Sequence, residues 1–228
     1  MVKRKMAYDR LMMIAGILAI GSVWGLLECI LGDVKFDIAG LPVSMGAVMA
    51  GLFGIGFMVL ARKLFDRVGV SLGVAIVAGI LRFFAPIGSC VLCAAIAMMV
   101  EGLIFELIVN RKVVLRSIRG VERDYRTLVF AGVVAGFTMF TIGYILTQVL
   151  TPLFKEGILI SLSDLWGILP LIFGRGFYAA LLGGVSMPSA ASVDRLHLDV
   201  GKLRKGIYYP VSGAISLFCW IMVLVVLF

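Results

Sequence analysis

The chain has 228 residues, of which 62% are hydrophobic and 15% charged, with 27 glycines and 6 prolines. A soluble domain runs about 45–50% apolar and about 25% charged, so this composition, with a mean hydropathy of +1.12, excludes a soluble enzyme or a disordered segment and leaves an integral membrane protein. The net charge of +8 would suggest nucleic acid in a soluble protein; in a membrane protein it is read first as topology.

A helix crosses about 30 Å of hydrocarbon with roughly 20 apolar residues. The sequence predicts such spans at 11–31, 41–61, 70–86, 87–109, 127–150, 166–185 and 208–228. The expected fold is therefore all-α: one integral membrane domain over 1–228, a polytopic transmembrane bundle with a six-span core plus a C-terminal helix. Ala85-Pro86-Ile87-Gly88 separates the third and fourth spans and reads as helix-end punctuation. The stretch 151–164 is apolar but short and interrupted, so an outer loop or half-inserted segment is expected there. The basic N-terminus precedes a run too long for a secretory signal, with no small-x-small cleavage site, and reads as a retained first helix.

Alternate connections are the N-terminus, 62–69, 111–126 and 186–207, and they carry 17 of the 21 Lys and Arg. That asymmetry predicts a cytoplasmic N-terminus and an outer C-terminus. Small residues recur four apart, at Ala15 and Ala19, Gly21 and Gly25, Gly132 and Gly136, and Ala180 and Gly184. Such spacing lets helices approach closely in lipid. Packing within the bundle is the ordinary meaning, and docking of another membrane subunit is the alternative.

Ionisable groups inside a span are expensive and point to a site by default. Glu28 and Arg82 fall at similar depth near the outer ends of their helices, and Asp33, Lys35 and Asp37 follow in the first outer loop. Glu101 and Arg175 fall roughly 21 Å and 14 Å into their helices at about 1.5 Å per residue, where they are plausible partners. Glu106 is expected near the cytoplasmic interface, snorkelling. One reading has these groups as structural ion pairs holding the bundle together. The other has Glu28, Arg82 and the first outer loop lining a pocket open to the outside. Trp24, Phe83, Phe84, Trp166 and Tyr178 would then be its aromatic walls.

Cys90 and Cys93 form a C-x-x-C at the outer N-terminus of the fourth span. A helix N-terminus lowers thiol pKa, and the spacing suits a reversible disulfide. This supports an alternative function, a membrane thiol oxidoreductase working with a quinone, against the plainer reading of small packed cysteines. Cys29 at similar depth allows a metal site on ligand type alone, while lone His197 gives little support for one. The loop 111–126 (RKVVLRSIRGVERDYR) alternates basic and apolar residues and is expected to lie along anionic headgroups. No phosphate-binding Gly loop, hydrolytic triad or H-E-x-x-H run is evident.

Gly21-Ser22-Val23-Trp24-Gly25-Leu26-Leu27-Glu28, Arg82-Phe83-Phe84-Ala85-Pro86-Ile87-Gly88 and Met99-Val100-Glu101-Gly102-Leu103-Ile104-Phe105-Glu106-Leu107 together give residues 11–110 a recognisable style. It resembles the substrate-binding (S) components of energy-coupling-factor micronutrient transporters. The resemblance implies a cell-membrane protein that captures a vitamin-like or metal-related solute from outside. It also implies a transmembrane coupling subunit and cytoplasmic ATPases as partners, with Ala15 and Ala19 matching the small positions that meet the coupling subunit. A structural subunit of a larger membrane complex is a further alternative.

Overall fold

A computed structural model describes residues 2–32, 34–38, 41–85, 90–119, 124–156, 162–193 and 205–226. Helix α1 (Val2–Leu31) leads into an antiparallel hairpin of β1 (Lys35–Ile38) and β2 (Leu41–Ser44), with Lys35 opposite Ser44 and Ile38 opposite Leu41. The short α2 (Met45–Val48) passes through a π-helical turn at Met49–Gly54 into α3 (Ile55–Phe65). Then follow α4 (Val70–Phe83), α5 (Val91–Val109), the short α6 (Lys112–Ile118), α7 (Tyr125–Glu156), α8 (Leu162–Ala191) and α9 (Lys205–Ile221), which ends in a second π turn, Met222–Val226.

Each predicted span contains a helix. Among the described residues six are long and apolar enough to cross a membrane, and α4, with 14 residues, is the shorter apolar one. The chain is thus a multi-pass helical membrane protein. At about 1.5 Å per residue α4 rises only about 21 Å. One face of it is nevertheless enclosed, with Val74, Ala75, Ala78 and Leu81 fully buried between α1 and α5.

Two boundaries differ from expectation. The second span starts at Met45 rather than 41, because Leu41–Ser44 is taken up in the hairpin. The stretch expected as an outer loop from 151 is helical to Glu156, with Pro152 inside α7. Apolar surroundings leave a backbone no water to bond with, so an apolar stretch retains helical hydrogen bonds through a proline.

The tightest packing is between α7 and α8. A Cβ on Gly132 would overlap the carbonyl oxygen of Gly183, and one on Gly183 would overlap that of Gly132. Helix backbones therefore touch directly, as expected where dispersion replaces the hydrophobic drive. Helix α3 closes on Asp66 in the left-handed region (φ 44°), and Gly69 (φ 87°) precedes α4. At Gly69 a side chain would be strained by the backbone conformation alone.

Candidate functional site

A cavity of about 110 Å³ opens between α1, the α2–π turn, α5 and α7. Four small residues, Gly46, Ala50, Ala94 and Ala97, provide the space, and Phe140, Tyr144 and Thr147 of α7 supply one wall. The π-helical turn sets part of this geometry. Its extra residue turns Ala50 to the cavity and Gly51 against Ala179 of α8, and such turns recur at functional sites.

Two carboxyls line the cavity: Glu28 near the end of α1 and Glu101 on α5. Each lies against a glycine. A Cβ on Gly32 would sit 2.8 Å from Glu28 Oε1, and one on Gly143 would sit 2.8 Å from Glu101 Oε1. The lining contains no Lys, Arg or His among the described residues.

Arg175 lies beside this wall without reaching Glu101, so the expected Glu101–Arg175 ion pair is not formed. Its Nη1 instead donates to the Tyr144 hydroxyl at 3.0 Å, and its guanidinium sits 5.7 Å from the centroid of the same ring. Tyr144 stacks on Phe140 one turn earlier, with centroids 5.6 Å apart. Arg175 thus props an aromatic wall rather than neutralising a carboxyl.

The other expected pocket residues scatter. Trp24 is buried in the central core against Gly54. Phe83 and Phe84 are exposed and meet edge to face, with Phe84 also against Trp220. Trp166 is 72% exposed and walls no pocket among the described residues. Tyr178 packs on the cluster of Ala47, Ala50, Phe140 and Ala179, directly behind the cavity wall. Arg82 is buried in the last turn of α4 and is not part of the lining. Asp33 and the side chain of Lys35 lie outside the described residues, as do Asp37's side chain and His197.

A second polar cluster lies at the opposite end of α5. Arg62 Nη1 is 3.3 Å from Glu106 Oε1, both side chains being almost fully buried. Arg62 Nη2 donates to Asn110 Oδ1 at 2.9 Å, and the Gly69 N–H donates to Glu106 Oε1 at 2.9 Å. Glu106 therefore does not snorkel. It ties the α3–α4 turn to α5, and Arg119 extends the tie by bonding Asp66 at 2.6 Å. Helix α6 likewise buries Val114, Ser117 and Ile118 against the bundle, so this half of the basic loop packs on protein as well as presenting charge.

Cys90 and Cys93 are joined by a disulfide, and Cys90 Sγ accepts the Cys93 N–H at 3.3 Å as the N-cap of α5. Cys29 falls instead in a buried cluster with Leu81, Ala85, Cys219 and Val223. No group of three metal-ligating side chains occurs among the described residues. On α1, the Met12 carbonyl accepts from the Tyr208 hydroxyl and Ser22 Oγ from Trp220 Nε1. Ala15 and Ala19 fall between these two contacts along α1, Ala19 buried and Ala15 half-buried.

Sequence reasoning missed Phe140, Gly143, Tyr144 and Thr147 on α7, and the Arg62–Glu106 pair. The four-residue spacing of Phe140 and Tyr144 was the available signal for a shared face. Comparison with protein-family models, with curated proteins and with solved structures finds no match to this chain.

Proposed function

We propose that the protein is a membrane subunit that binds a small solute from the outer side and passes it inward with energising partner subunits. The observation that carries this reading is the cavity faced by Glu28 and Glu101. Two carboxyls, an aromatic wall and a floor of small residues match the chemistry of a binding pocket, which combines apolar lining with a few placed polar groups. Structural ion pairing does not account for Glu101, since Arg175 is engaged with Tyr144 instead. The distribution of Lys and Arg supports an outward-facing site, because Glu28 and Ala94 lie at the helix ends away from the basic connections. The resemblance to energy-coupling-factor S components supports an ATPase-driven partner. The test is native extraction followed by mass spectrometry of bound small molecules, with pull-down of copurifying ATPases. Recovery of a ligand and an ATPase is expected; finding neither overturns the proposal.

A thiol oxidoreductase is the second reading, favoured by one observation, the bonded Cys90–Cys93 pair at a helix N-terminus. Cys93 is fully enclosed while Cys90 is half-buried, so exchange would have to proceed at the Cys90 sulfur, since it needs an accessible one.

A further inference from the structure

We infer that the solute is a small organic ammonium ion, with Glu101 as its principal counter-charge and the Phe140–Tyr144 pair as its aromatic wall; this rests on the solute-binding reading above. Carboxyls in a span are costly unless compensated. Glu101 makes no ion pair or hydrogen bond among the described residues, although it faces the same cavity as Glu28. The nearest cation on the α8 side, Arg175, is committed to the hydroxyl and ring of Tyr144. A cation entering the cavity would supply that compensation and hold the carboxyl ionised.

Three features narrow the class. A divalent metal held by two carboxyls alone keeps most of its water shell, and the described residues add no third His, Cys, Asp or Glu to form a ligand group. An ammonium group needs only one or two carboxyls and gains from an aromatic face, and Phe140 and Tyr144 offer stacked rings beside them. The volume of about 110 Å³ admits a compact ion. Gly143 is the specific device: any side chain there would displace the Glu101 carboxyl from its position.

The experiment uses the full chain in lipid nanodiscs and follows thermal unfolding and calorimetric binding with methylammonium, ethylammonium, acetamide, acetate and Mn²⁺ as probes. The expected result is binding of an alkylammonium ion only. Glu101→Gln, nearly isosteric, should weaken it by more than about tenfold. Ala94→Leu should abolish it by filling the cavity with both carboxyls intact. Binding of acetamide or acetate, lost in Ala94→Leu but unchanged in Glu101→Gln, overturns the cationic class and leaves solute binding standing. Binding of Mn²⁺ alone likewise overturns the ammonium class. If no probe binds and no copurified molecule is found, both readings fail together.

Discussion

Arg62 and Glu106 meet at 3.3 Å with side chains only 1% and 6% exposed, although each was placed by sequence at the end of an apolar span. Burial makes the pair asymmetric in its energetics. Removing one partner strands a buried charge and costs about 3–5 kcal/mol, while replacing both with apolar groups of similar volume is often neutral. Glu106→Ala is therefore expected to destabilise the bundle by roughly that amount and Arg62→Met/Glu106→Leu far less, measured by reversible unfolding in mixed micelles. Single variants within about 1 kcal/mol of wild type would show the pair to be screened like a surface one.

The Gly132–Gly183 contact carries a different expectation. Each Cα faces the other's carbonyl oxygen so closely that a methyl group has no room, and backbone cannot yield as a flexible side chain can. Gly183→Ala should separate α7 from α8 locally and cost about 1–3 kcal/mol, the usual range for overpacking. Gly174→Ala is the control, since nothing lies within 4 Å of a Cβ there. Equal stability of the two variants in the same unfolding assay would remove the close approach as a determinant of the fold.

The helices and the acidic half of the site were legible in the sequence because their physics is local. Twenty apolar residues must be helical in hydrocarbon, and a carboxyl such as Glu28 or Glu101 stands out against such a run. The aromatic half was not legible. Phe140 and Tyr144 on one face of α7 are indistinguishable in composition from Phe83 or Trp166, which face outward; the difference lies in which neighbour α7 meets. Ala15 and Ala19 show the same limit. Their spacing marks a packing face but does not say whose, and α9 of the same chain packs along that helix. Arg62 and Glu106 were hidden for another reason, since a charge near a span end ordinarily reaches water.

The disulfide separates two roles for Cys90 and Cys93. In intact membranes, neither thiol should react with maleimide until a dithiol reductant is added. The Cys90→Ser/Cys93→Ser variant should retain solute binding and lose only some stability, since the bond closes a very short loop and loop entropy grows with length. Loss of all function in that variant, with folding intact, would instead favour the oxidoreductase reading.

At the start of α7, Asp124 accepts the Arg126 N–H at 3.1 Å and the Thr127 hydroxyl. These bonds, the Thr127 hydroxyl first, hold its carboxyl below the ordinary aspartate value. A group whose folded pKa is depressed stabilises the fold fully above its unfolded pKa, about 3.9 for aspartate, and loses that contribution as pH falls through the lower folded value. The first turn of α7 should therefore loosen below about pH 3.9 and remain closed at neutral pH. Hydrogen exchange at the Arg126 and Thr127 amides, corrected for intrinsic rates, should show the step. In Asp124→Asn, whose side chain accepts hydrogen bonds without titrating, the step should vanish while the neutral-pH protection largely remains. An identical step in that variant would assign the acid sensitivity of this helix start to another group.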